Sequence, residues 1–312
     1  MVLKNRQMDD IEIACVGLGC YDLYFEVDHH PSPDEKLFSR SFFAAGGGPA
    51  ANAAVAISRL GYHSAFVGKL SNDIFGRHQI EEFISEGVDI RFVDKKECSP
   101  AIAAVIVKPD GSRAVISQKS VESDDQPLLN LETLNPGVLL FDGHQLDMSQ
   151  ALLDRKCPKI LDAGSIHQGT LALMTKVDHL VCSEKFAREW SGDADPEKAL
   201  DLLSERSPSV VITLGANGLL WRKGAERGRL TGFEVACVDS TGAGDAFHGA
   251  FAAGLFAGLA WEDLLHFASA VGALCCTQVG ARKGLPTREE VVSFIRRSGC
   301  AFSLPERDFS NH

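Results

Sequence analysis

Positive charge is in short supply in this 312-residue chain: 31 lysines and arginines stand against 42 aspartates and glutamates, for a formal net charge of -11. That balance excludes partners that need a basic face to displace counterions, nucleic acid and anionic membranes first among them. Long apolar runs are lacking too. The most apolar stretch, Phe247 to Ala260, is broken by His248 and three glycines, which excludes a membrane-spanning helix. The nine cysteines are scattered and show no Cys-x-x-Cys spacing, so neither a disulfide framework nor a zinc site is expected. Met1 to Asp10 is polar and runs straight into Ile11–Val16, so no secretory leader is expected and a reducing cytoplasm is the expected compartment. The chain has no Gly-x-x-x-x-Gly-Lys-Ser/Thr, no His-Glu-x-x-His and no Gly-x-Ser-x-Gly, and Gly17-x-Gly19 has Asp22 where a dinucleotide fingerprint needs its third glycine. P-loop, zincin, lipase-type and Rossmann dehydrogenase readings therefore have no residues to stand on.

What is present is the composition of an ordinary soluble globular protein, 45% hydrophobic and 23% charged. The length suits one large α/β core with a small appendage. Ile11–Val16 reads as a buried first strand closed by Gly17-Leu18-Gly19, which puts Asp22 just past a strand's C-terminal edge, where ligands of α/β folds sit. Phe25 to Phe43, with Pro31 and Pro33 among short apolar pieces, reads as an excursion from the core. It pairs with a predicted hairpin of Ala101–Val107 and Arg113–Ser117 around Pro109-Asp110-Gly111-Ser112. Between these lie expected helices over Asn52–Leu60 and Phe75–Glu86 and a strand over Ala65–Val67. Buried strands are then predicted at Val138–Phe141, Lys159–Asp162, His179–Cys182 and Val210–Leu214, with helices between them such as Pro196–Glu205. A largely parallel sheet covered on both faces follows. Helices over Phe247–Leu259, Trp261–Cys276 and Arg288–Arg297 close the chain.

The segment that carries chemistry is Asp239-Ser240-Thr241-Gly242-Ala243-Gly244-Asp245, between a strand-like run and a long helix. Glycines around an alanine let successive N–H groups converge at a helix N-terminus and cradle an anion. Thr241 is a natural cap for that helix, which leaves Asp245 free to accept a proton from an attacking alcohol. A general base beside fixed donors is what phosphoryl transfer needs.

This segment resembles the C-terminal signature of the ribokinase (PfkB-type) carbohydrate kinases. A second, separate stretch, Gly46-Gly47-Gly48-Pro49-Ala50-Ala51-Asn52-Ala53-Ala54 followed by Arg59-Leu60-Gly61, resembles that family's N-terminal glycine signature. The resemblance runs over nearly the whole chain, because Gly17 to Asp22, Thr213-Leu214-Gly215 and Gly280 to Pro286 fall in family order. It implies a three-layer α/β/α sandwich forming one domain over 1–312, with a small β-sheet lid from about 23–45 and 98–120 that supports a homodimer. It also implies transfer of the ATP γ-phosphoryl group to a sugar hydroxymethyl, with Mg2+ as cofactor. Asp245 would be the base and the amides of Gly242, Ala243 and Gly244 the anion hole. Asp22, Gly47, Gly48 and Asn52 would hold the sugar, Thr213, Gly215 and Gly218 would line the phosphates, and Gly280 and Ala281 would lie near the adenine. Asp239 and Thr241 match positions that hold a monovalent cation such as K+ in many members.

One segment departs from the pattern. The family's Asn-x-x-Glu, which organises magnesium, should fall at Ser183-Glu184-Lys185-Phe186, leaving Glu184 to act through a water. Gly46 to Ala51, Phe247-His248-Gly249-Ala250 and Phe267-Ala268-Ser269 are most similar to the sulfofructose kinase branch, and Lys36 stands where that branch has a lid lysine. Asp142-Gly143-His144-Gln145, however, lacks the arginine that branch uses for the sulfonate, which leaves His144 as the polar contact there. A plain sugar kinase is the reading. A nucleoside kinase, a sulfosugar kinase and a non-catalytic sugar or nucleotide sensor of the same fold are its alternatives.

Overall fold

The computed structural model describes residues 10–119, 129–299 and 304. The remaining positions of the expected 1–312 domain lie outside the described residues, residue 120 of the second lid segment among them.

In chain order the strands are β1 Ile13–Val16, β2 Cys20–Glu26, β3 Ser41–Gly47, β4 Ser64–Ser71, β5 Val93–Lys96, β6 Ile102–Val107, β7 Arg113–Gln118, β8 Val138–Phe141, β9 Lys159–Ala163, β10 His179–Ser183, β11 Ser209–Thr213, β12 Leu219–Lys223 and β13 Glu226–Leu230. The helices are α1 Pro49–Arg59, α2 Ile74–Ser85, α3 Leu146–Ala151, α4 Gln168–Leu173, α5 Glu184–Ser191, α6 Pro196–Leu203, α7 Ala243–Phe256, α8 Trp261–Cys275, α9 Ala281–Gly284 and α10 Arg288–Arg297. Nine strands form the main sheet in the order β13-β12-β11-β10-β9-β8-β1-β4-β5, parallel except for β12 and β13. Alternate side chains of β1 show how it is covered. Ile13 and Cys15 join the core under α1, α7 and α8, whereas Ala14 and Val16 join the core on the other face with Met148, Leu173, Phe186 and Leu200. The expected three-layer α/β/α sandwich is the result.

Four strands, β3-β2-β6-β7, make a second, smaller sheet, with β2 and β6 parallel and the outer pairs antiparallel. Its first strand starts at Cys20, earlier than the segment from about 23 expected from the sequence, because Gly17–Gly19 turns the chain directly from one sheet into the other.

Two helix starts differ from expectation by three residues or more, both for reasons of backbone chemistry. Helix α1 begins at Pro49, since proline needs no donor in the first turn and Gly48, at φ 99°, makes the sharp entry. Asn52 therefore sits inside the first turn, its N–H bonded to the Gly48 carbonyl at 2.8 Å. Helix α7 begins at Ala243 behind a left-handed Gly242 at φ 80°, with no side-chain cap. Thr241 does not cap it, contrary to the sequence expectation, because its hydroxyl is taken by Asp239 Oδ1 at 2.6 Å.

Candidate active site

Parallel strands deliver their C-terminal ends to one side of a sheet, and here that side holds a cavity of about 140 Å³. Asp142 follows β8, Asp162 lies in β9, and Ser183 and Thr213 end β10 and β11; all four line the cavity together with Gly244 and Asp245 of α7. The rings of His144 and His167 lie 4.5 Å apart, tilted by 39°, and both line the same cavity. The structure thus brings Asp245, Gly244, His144 and Thr213, picked separately from the sequence, around one space.

Asp245 faces this cavity from the first turn of α7. Burial pushes its carboxyl above the ordinary range, opposed by a hydrogen bond that Asn52 Nδ2 donates to Oδ2 at 2.7 Å and by the charges of His248 and Arg113. A hydrogen bond to an ionised group contributes about 1.5–3 kcal/mol, so the Asn52 donor works against burial in favour of the ionised form. Gly244 has open space where a side chain would be, and its N–H belongs to the turn whose donors have no intrahelical partner. Ala243 N–H is engaged instead by the Ser240 carbonyl at 3.3 Å. Gly242 packs so tightly that a Cβ would lie 2.7 Å from that of Ala281.

On the acceptor side, Asp22 lies in β2 on the inner face of the small sheet. Its carboxyl is raised by burial, while Cys20 Sγ donates to it at 3.1 Å and Tyr24 Oη at 3.5 Å. Gly47 is a glycine because Asp22 Oδ2 occupies the place a Cβ would need, 2.2 Å away. The charges of Asp22 and Asp245 act on each other. Asp22, Gly47, Gly48 and Asn52 are thus linked to Asp245 through close contacts and chain neighbours, but of the five only Asp245 lines the cavity itself.

Asp142 is the knot that the sequence did not single out. Its Oδ2 accepts from Leu18 N at 2.8 Å and Ala50 N at 3.1 Å, and its Oδ1 from His144 N at 2.8 Å, so the β1 turn, the start of α1 and the β8 loop meet on one carboxylate. Burial would raise its pKa, but His144 and these amides outweigh that and hold it below the ordinary value. The same pairing overcomes burial at His144 and raises its imidazole. Asp162, pushed up to about 6 by burial, lies 3.2 Å from Nδ1 of His248. His248 is buried, and its ring bonds the Gly244 carbonyl at 2.6 Å and the Val181 carbonyl at 3.1 Å, bracing the head of α7.

Other sequence candidates fall elsewhere. Lys36 is exposed, 5.6 Å from the Phe38 ring. Glu184 is exposed at the head of α5, outside the cavity lining, and Ser183 caps that helix by accepting from Phe186 N at 3.0 Å. Gly215 and Gly218 shape the turn between β11 and β12 through left-handed backbones at φ 58° and 87°. Gly280 N donates to Asp239 Oδ2 at 2.8 Å and Ala281 N to Tyr24 Oη at 3.3 Å, which ties this segment to the cation candidate and the small sheet. Asp239 is buried and accepts from three neutral donors, Thr241 N, Thr241 Oγ1 and Gly280 N. Among the described residues no group of three or more His, Cys, Asp or Glu side chains is arranged to hold a metal ion, and no helix is long and apolar enough to cross a membrane.

Known proteins resemble this chain over most of its length. The ribokinase of Bacillus subtilis (strain 168) is 28% identical over 295 residues, covering 91% of this chain and 99% of the relative. The fructokinase of Solanum tuberosum is 29% identical over 284 residues, covering 82% and 88%. The Arabidopsis thaliana ribokinase solved with ribose and ATP superposes with a TM-score of 0.80 at 25% identity, covering 94% of this chain and all of that one. A family model described as pfkB family carbohydrate kinase matches residues 10–288, and the chain belongs to that family.

Proposed function

We propose that the protein transfers the γ-phosphoryl group of ATP to a hydroxymethyl group of a sugar. The acceptor oxygen attacks phosphorus, ADP leaves, and the hydroxyl proton passes to Asp245. The observation that carries this reading is the placement of Asp245 at the cavity, beside the open first turn of α7 and bonded to Asn52. General-base help is worth about 10²–10⁴-fold. The amides of Gly242 and Gly244 would receive the charge that develops on the transferring group, with Gly244 the more accessible, whereas that of Ala243 is already bonded to the Ser240 carbonyl.

ATP is the donor read from the relatives, and Thr213, at the cavity, and the Gly215–Gly218 turn are proposed to hold its phosphates. Magnesium, when bound with ATP, neutralises the β- and γ-phosphates. Asp239 and Thr241 are proposed to hold K+. The small sheet is proposed to act as a lid, with Asp22 on its inner face reading acceptor hydroxyls and the loop holding Lys36 at its edge, so that closure excludes water from the phosphoryl group.

Release of ADP measured with ribose, fructose and a nucleoside panel tests the reading. Turnover with a sugar is expected, and Asp245→Asn should lower it about 10²–10⁴-fold while leaving ATP affinity unchanged. Turnover with nucleosides alone would overturn the sugar assignment, and a wild type silent on every acceptor would favour a sensor.

A further inference from the structure

Behind the wall of the site lies a buried side-chain chain that the proposed mechanism does not use. Arg282, at 5% exposure, donates from Nη1 to Glu82 and from Nε to Asn52 Oδ1 at 3.3 Å. Glu82 also accepts from Gly46 N with both oxygens, at 3.1 and 2.9 Å. The guanidinium is packed between the Phe83 ring, 5.0 Å away, and the bare Cα of Gly46, where a Cβ would lie 1.9 Å from Nη1. Asn52 stands between this arginine and Asp245, with one end of its amide on each.

The chemistry of the two neighbours decides which end faces which. A guanidinium only donates and an ionised carboxylate only accepts, so the amide must turn its oxygen to Arg282 and its NH2 to Asp245. With a neutral neighbour at 282, nothing would oppose the flipped amide except its clash with Asp245.

We propose that Arg282, anchored by Glu82, is a positioning residue that orients the Asn52 amide and thereby keeps the Asn52 N–H on Asp245. The proposal rests on the assignment of Asp245 as the base and adds how that base is held ready. Other groups act on Asp245 as well: His248 from its own helix, Asp142 after β8, Asp162 in β9, Asp22 in β2, Arg113 in β7 and Cys275 in α8. A test must therefore separate the path through Asn52 from a direct effect of charge.

Carboxyl 13C NMR titration of Asp245 in the free protein, with the resonance assigned by its absence in Asp245→Asn, needs no acceptor. In the wild type one Asn52 side-chain amide proton should shift with the Asp245 midpoint. Arg282→Met should raise that midpoint by about one unit. Asn52→Ala should raise it similarly, and the double variant should go no further than Asn52→Ala alone. Arg282→Lys, which retains a donor, should move it less than methionine does. An Asn52 amide blind to the Asp245 titration, an unmoved midpoint in Arg282→Met, or additive shifts in the double variant would each overturn the proposal. Should Arg282→Met fail to fold, Glu82→Gln, which loosens the anchor of the guanidinium, takes its place: it should raise the midpoint in the wild type but not in Asn52→Ala, and an unmoved or lowered midpoint overturns the proposal. The base assignment is judged separately: Asp245→Asn that still turns over ribose or fructose at the wild-type rate removes the base, whatever the titrations show.

Discussion

A carboxylate at position 245 works against the folded state. Its folded pKa lies above its unfolded one, so the stability linked to this group is fully present below the unfolded value, about 4, and is lost as pH rises through the folded value. Asparagine keeps the shape and can still accept from Asn52 without carrying charge. Asp245→Asn should therefore melt at a higher temperature than the wild type at pH 8, with the gap closing as the pH falls toward 4; thermal melts across that range check it. A wild type that melts higher at pH 8 would mean that the site stabilises the anion more than burial opposes it. Asp245 and Asn52 were legible in the sequence because each lies in a short motif whose glycines announce a turn or an anion cradle. Asp142 and Arg282 were not, since their partners Ala50 and Asn52 lie 92 and 230 residues away and nothing local to either marks the meeting.

Between elements, the close approach of α1 and α7 sets the distance between the two motifs. A Cβ on Gly249 would lie 2.9 Å from the Ala53 carbonyl and 3.1 Å from Ala56 Cβ, so the helices touch almost backbone to backbone. Asn52 and Asp245 each stand within a turn of that contact. Gly249→Leu should wedge the helices apart, costing about 1–3 kcal/mol of stability by overpacking, and should lengthen the Asn52–Asp245 bond. Denaturant melts and turnover measured on the same variant are expected to fall together. Unchanged turnover would show that the spacing is set elsewhere. The alanine-rich pattern of α1 revealed a helix in the sequence. It could not show where the helix began, because Pro49 reads equally well as part of the preceding loop and as a first-turn residue.

At the scale of the molecule, the small sheet is apolar on both sides. Asp22, Tyr24, Phe43, Ala103 and Val105 share the inner face, and strand pairing sets Leu23, Phe25, Phe42, Ala104, Ile106 and Ile116 on the outer one. A sheet open to water alternates apolar and polar residues, yet here Phe42 is 58% and Ile116 68% exposed. A second copy packed face to face is the proposed cover, in keeping with the homodimer expected through the lid. Sedimentation should show a dimer for the wild type and a monomer for Phe42→Asp/Ile116→Asp; a wild type that is monomeric at micromolar concentration would overturn it. The layers of the main sheet were readable as buried runs. The antiparallel edge of β12 and β13 was not, because Glu226–Leu230 alternates charge with little that a core demands.

Tyr24 and Leu23 are consecutive in one strand, and their side chains leave it in opposite directions. In the proposed dimer no intervening layer would insulate what a neighbouring subunit presses upon from what an incoming alcohol would meet. A shift in how two copies seat against each other would then be felt within a single peptide unit of Asp22, and quaternary contacts and acceptor choice would be constrained to change together.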